Sequence, residues 1–134
     1  MNDNLTAQLI DMLLTTARHR GVLSYSRFHA LFPRTTMLVT RNAILDDALR
    51  SICDEPEADY RVLLARDNGL PGPDFFKRYR VNRRIEYTEL VGDPRYHNAT
   101  AKQQRLIVAT ERARVYAHAA KLVQAEVRQA VHAC

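Results

Sequence analysis

Val22-Leu23-Ser24-Tyr25-Ser26-Arg27-Phe28-His29-Ala30-Leu31-Phe32-Pro33 is the stretch on which the reading of the fold turns. Val22 to Tyr25 form a short extended run. Ser24 or Ser26 offers a hydroxyl to cap a following helix. Phe28, Leu31 and Phe32 give that helix an apolar side, and Pro33 ends it. On the N-terminal side, Leu5, Leu9, Ile10, Leu13 and Ala17 recur at helical spacing. They predict a first helix over 5–19, with Asn4 as N-cap and Gly21 as C-cap. On the other side, 34–36 make a turn and 37–54 read as a third helix. Its buried stripe is Ile44, Leu45, Ala48, Leu49 and Ile52, and Thr40 is a candidate N-cap partway in.

Beyond Pro56, Tyr60 to Arg66 read as a strand by composition. Asp67-Asn68-Gly69 signals a turn, because Asn-Gly suits left-handed backbone geometry. Leu70-Pro71-Gly72-Pro73 cannot form a central strand. Asp74 is placed to cap a helix holding Phe75, Phe76 and Tyr79, and a weaker helical stretch follows over 85–90. Gly92-Asp93-Pro94 breaks it. Thr100 starts a last helix running to about residue 130. That helix carries a heptad seam of Leu106, Ala113, Ala120 and Val127 with Ala109, Tyr116, Val123 and Ala130. A second apolar stripe is Val108, Val115 and Leu122. Two stripes predict two contacts, one with the rest of the chain and one with a partner chain; burial of the whole helix in a larger core is the alternative.

The order helix, short strand, helix, helix, strand, turn resembles the winged-helix superfamily over about residues 5–82. In that resemblance 37–54 is the recognition helix and Tyr60 to Gly69 begin the wing. The implied fold class is α+β, mostly helical. It has a winged-helix-like core over 1–92 and a C-terminal helical extension over 93–134 that ends in a long helix. The run Leu63 to Phe76 also resembles a block in small bacterial winged-helix proteins of unassigned function. There a strand and a turn precede Pro-Gly-x-Gly-Phe-Phe; here Asp74 stands in place of the second Gly. Glu111-Arg112-Ala113-Arg114-Val115-Tyr116-Ala117 is similar to a segment of their last helix. This likeness implies a fold and no chemistry. Val22 to Asp54 looks distantly like the winged-helix part of DNA alkyltransferases. Those need a reactive Cys within Pro-Cys-His-Arg, and the chain has no such tetrapeptide.

Composition bounds the function. The chain has 134 residues, enough for one core or for one domain with an appendage. No apolar run approaches the ~20 residues that span a bilayer. Met1-Asn2-Asp3-Asn4 lacks the basic start of a signal peptide, so the expected location is the cytoplasm. The net charge is +5, and 17 of the 20 basic residues are Arg. Such a balance admits an anionic partner, and Arg suits phosphate and carboxylate contacts. Cys53 and Cys134 read as free thiols. His19, His29, His97, His118 and His132 are scattered, and no metal-ligand spacing occurs. Ser24 or Ser26 with His29 lacks an orienting acid, and phosphate-binding glycine patterns are absent. No enzyme activity, metal, cofactor or small-molecule ligand is expected.

A winged helix usually binds DNA through its third helix. Opposite the apolar stripe, however, that helix carries Ala43, Asp46, Asp47, Arg50 and Asp54, and phosphates repel three acids against one base. Thr40, Arg41 and Asn42, at its N-terminal end, have groove-reading chemistry, although Thr40 and Asn42 also suit helix capping. The main positive cluster is Lys77, Arg78, Arg80, Arg83 and Arg84, with Tyr79 and Tyr87 interleaved. It suits sequence-independent contact with a phosphate backbone; the alternative is a solvated helix face paired with Glu86 and Glu89. Arg105, Arg112 and Arg114 form a second basic group. The leading expectation is a non-enzymatic nucleic-acid-binding protein, such as a small bacterial or phage regulator of double-stranded DNA. The alternative is a protein-interaction module, such as an adaptor or a phage-type inhibitor of a host nucleoprotein machine. In that case Leu106, Ala113, Tyr116, Ala120, Val123 and Val127 form the interface, including that of a homodimer.

Overall fold

The computed structural model describes residues 2–132, and side chains for 3–129. Cys134 and the Ala130 and His132 side chains lie outside the described residues. Six α-helices surround one two-stranded sheet, so the chain is mostly helical. The first helix, α1, runs Asn2–Arg18 and buries Leu9, Leu13 and Ala17 on one side. Asn4 therefore lies inside its first turn and does not cap it. At the other end Arg20, not Gly21, takes the left-handed conformation (φ 55°). The Gly21 amide reaches back to Thr16 O at 2.9 Å, and the Arg20 amide to Ala17 O at 3.0 Å. These two bonds form a Schellman motif with Gly21 one residue beyond the expected place.

Strand β1 is Leu23–Ser24, and helix α2 is Tyr25–Ala30. Ser24 caps α2 by accepting from the Arg27 amide at 3.2 Å. Helix α3, Leu38–Ile52, buries Ile44, Leu45, Ala48 and Leu49 of the expected stripe against α1, while Ile52 is half-buried. Its N-cap position is Met37, without a side-chain cap bond, so Thr40 sits inside the first turn.

The expected strand over Tyr60 to Arg66 is corrected. Tyr60–Leu63 form a 3-10 turn, and only Leu64–Ala65 are strand β2. Asp59 causes the difference locally: its carboxylate accepts from the Arg61 amide at 3.0 Å, and its carbonyl accepts from the Val62 amide at 3.1 Å. Every residue from Ala58 to Ala65 is buried, so no apolar–polar alternation exists there. β2 pairs parallel with β1, Leu23 opposite Leu64 and Ser24 opposite Ala65. The Asn68-Gly69 turn forms as expected, with Gly69 at φ 82° and the Arg66 amide bonded to Leu70 O. No second wing strand follows it among the described residues.

Helix α4, Pro73–Asn82, is capped at Gly72, two residues before the expected cap Asp74, with Pro73 and Asp74 in its first turn. Helix α5, Arg84–Leu90, follows after a bend at Arg83. Helix α6, Ala101–His132, is 32 residues, about 48 Å long. Thr100 and Gln103 close its start reciprocally, with bonds of 2.9 and 3.2 Å, as a capping box. Ile107, Val108, Val115 and Ala119 of α6 share one buried cluster with α1, α3 and the 3-10 turn. The helix of the expected 93–134 extension thus packs on the rest of the chain through this face. Beyond Ala119, α6 is largely exposed.

Candidate nucleic-acid interface

The five cations of the 77–84 segment separate into two sets. Arg83 turns inward. Its guanidinium donates to both carboxylate oxygens of Glu111, at 2.5 and 3.1 Å, and to the carbonyl of Pro56 at 2.9 Å. Glu111 is 1% exposed, and these bonds hold the Arg83 guanidinium above its ordinary pKa. Glu111 also accepts from Arg114 at 2.9 Å and from the Asp59 amide at 3.1 Å. Arg78 pairs with Glu55 at 3.1 Å and with Asp59 at 3.5 Å. Burial raises the Asp59 carboxyl pKa, opposed by Arg78. Arg78 and Arg83 are thus neutralised from within the fold.

Lys77, Arg80 and Arg84 face the other way. With Val81, Pro94 and Arg95 they line a shallow concavity of about 430 Å³. No acid lines it. Lys77 and Arg84 are exposed and form no salt bridge among the described residues, and Arg84 lies near enough to Asp93 to help hold its carboxyl down. Arg80 donates to the Pro94 carbonyl and lies 5.4 Å from the centre of the Tyr87 ring. A carbonyl orients a guanidinium without neutralising it. Arg95 pairs with Asp93 at 2.9 Å, which holds that exposed carboxyl down at about 2. The arrangement offers several cationic donors to one multivalent anion.

The tyrosines interleaved with this cluster are not available to bases. Tyr79 is buried and donates to Glu86 at 2.8 Å; Tyr87 is buried and donates to His97 O at 3.0 Å. Tyr96 is the exposed ring, at 76%. Neither Arg95 nor Tyr96 was singled out by sequence reading. The local Asp93–Arg95 pairing hides the first, and the loop between α5 and α6 carries no periodicity that would place the second.

The N-terminal end of α3 does not present three groove-reading groups. Arg41 donates to Thr36 O at 3.0 Å, to Pro33 O at 3.2 Å and to His29 Nδ1 at 3.2 Å, and it covers the Phe32 ring. Its guanidinium clasps the α2–α3 connection. Thr40 is half-buried, and only Asn42 is exposed, on the rim of a cavity of about 670 Å³ with Ser24, Tyr25 and Arg66. Met37, Leu38 and Val39 stand exposed beside them. On the acidic face Asp46 pairs with Arg61, and Asp47 with Arg50.

The clasp depends on pH. His29 accepts from Arg41 only when neutral, and both burial and the Arg41 charge lower its pKa. Its contribution is present above the unfolded value of about 6.5 and is lost as pH falls through the lowered folded value. The urea midpoint is expected to drop between about pH 7.5 and about pH 5.5, and to drop less in His29→Gln. Equal drops in the two proteins refute this coupling.

On α6 the two stripes divide as the heptad suggests. Val108 and Val115 pack into the core with Ile107 and Ala119, while Leu106, Ala113, Ala120, Val123 and Val127 are exposed. Tyr116 is the exception: half-buried, it donates to Gly21 O at 2.8 Å. In the second basic group, Arg112 donates to Val62 O and Gly69 O, and Arg114 pairs with Glu86 and Glu111. Only Arg105 of the three is exposed.

Cys53 donates to Ala58 O at 3.0 Å, and burial with nearby acids pushes its thiol up to about 11, so it stays protonated at neutral pH. Among the described residues no group of three His, Cys, Asp or Glu is placed to hold a metal. No described helix is long and apolar enough to cross a membrane. Comparison of the chain with family models, with curated proteins and with solved structures returns no match.

Proposed function

We propose that this is a non-enzymatic, cytoplasmic protein that contacts nucleic acid through the face formed by Lys77, Arg80, Arg84 and Arg95. The observation that carries the reading is the concavity in which Lys77, Arg80 and Arg84 form no salt bridge, beside Arg95, which Asp93 pairs, in a chain where Arg78, Arg83 and Arg114 are paired with internal carboxylates. Phosphates spaced along a backbone satisfy such a surface without any reading of sequence. The order α1, β1, α2, α3, β2 supports a winged-helix-like scaffold, one without a wing hairpin among the described residues. In this reading α3 serves the core and the α2–α3 clasp. Three phosphate contacts, from Lys77, Arg80 and Arg84, predict that affinity falls about 20- to 40-fold between roughly 50 and 200 mM salt. Fluorescence anisotropy reads this directly, and binding insensitive to salt refutes the assignment.

The exposed stripe of α6 favours a second reading, a protein partner. Lys102, Arg105, Lys121 and Arg128 are the exposed cations of this helix, while Glu126 pairs with Arg18 at 3.4 Å. Like charges oppose self-pairing, so an acidic helix fits this stripe better than a second copy. The protein is expected to sediment as a monomer. A dimer that Leu106→Glu/Val127→Glu dissociates overturns that preference.

A further inference from the structure

Three exposed apolar side chains accompany the cationic face. Val81 is 78% exposed and lines the concavity itself; Ile85, at 77%, and Tyr96, at 76%, adjoin Arg84 and Arg95 in the chain. None of these serves the core. A duplex gripped by its phosphates leaves such groups idle, because its bases are stacked inside and only charged backbone meets the protein. A single strand differs: every unpaired base has an apolar face, and each stacks on an aromatic ring beside cations that hold the backbone.

The backbone that carries the ring is held in place. The Tyr96 amide donates to Asp93 O at 3.0 Å, and the His97 amide donates to the same oxygen at 2.9 Å. Tyr87 anchors the His97 carbonyl from the core, and Arg80 binds Pro94 O. The Arg95 guanidinium lies 5.4 Å from the Tyr96 ring centre, a pairing that serves base stacking as well as phosphate contact. The usual groove-reading elements are engaged elsewhere: the outer face of α3 is acidic, Arg41 is occupied, and no wing hairpin exists among the described residues.

We infer that the Lys77, Arg80, Arg84, Arg95 and Tyr96 surface takes single-stranded nucleic acid, with Tyr96 as a base-stacking platform. This rests on the nucleic-acid reading above. The test is anisotropy at low salt with three labelled probes: an oligo(dT) of about 12 nucleotides, its oligo(U) counterpart, and a hairpin duplex. The single strands are expected to bind at least about tenfold more tightly than the duplex. Tyr96→Ala is expected to weaken single-strand binding about tenfold and to leave the duplex unchanged, while Tyr96→Phe retains the preference. The difference between the dT and U probes says which sugar is favoured, and a preference over duplex in either supports the inference. Duplex binding as tight as single-strand binding, or an unaffected Tyr96→Ala with normal circular dichroism, overturns it and leaves the phosphate-contact reading standing. No binding of any probe overturns both.

Discussion

Glu111→Ala is expected to destabilise the protein by about 3–5 kcal/mol, the range for removing one partner of a buried ion pair. Glu111 is 1% exposed and holds two guanidinium groups and the Asp59 amide. Its loss strands Arg83, whose side chain is only 12% exposed. For a domain of this size the melting temperature should fall on the order of 15 °C. Glu111→Gln should cost less than Ala, because it keeps an acceptor for Arg83 while losing the charge. A double replacement, Arg83→Met/Glu111→Leu, should be less destabilised than the sum of its single variants, since it removes both charges together. Urea unfolding of wild type, Glu111→Ala, Glu111→Gln, the double variant and its two singles measures this. Singles within about 1 kcal/mol of wild type would show that the network contributes little to stability.

The second large effect is on binding. Lys77→Glu/Arg84→Glu reverses two exposed cations of the concavity that form no salt bridge among the described residues. Charge-assisted contacts contribute about 1.5–3 kcal/mol each, so their loss should weaken nucleic-acid binding about hundredfold or more at low salt. Stability should change little, because neither side chain contributes to the core. The matched control is Arg78→Ala, which removes a cation already paired with Glu55 and Asp59. It should lower stability and leave the salt dependence of binding near that of the parent. If the double reversal binds normally, the concavity is not the contact surface.

These two predictions show where sequence reading succeeded and where it stopped. The apolar stripes of α1 and α3, the Ser24 cap, the Asn68-Gly69 turn and the Thr100 start of α6 were all legible. Each depends on residues a few positions apart. The strand expected over Tyr60 to Arg66 was not decided by composition. A strand exists only where a neighbour offers ladder bonds, and β1 offers them to Leu64 and Ala65 alone. The positive cluster was legible as a list of cations, but not as a surface. Glu111 could have been noticed, since it falls midway between Ile107 and Val115 on the buried side of α6.

By itself the sequence determined a mostly helical chain, its apolar stripes and its basic balance, because periodicity and capping act within one or two turns. Only the tertiary structure decided which charges remain for a ligand. Arg83 and Glu111 are 28 positions apart, and Asp59 and Glu111 are 52. Burial brings these groups together and neutralises them inside, and it leaves Lys77, Arg80 and Arg84 outside without a salt bridge, where water and an anionic partner compete for them.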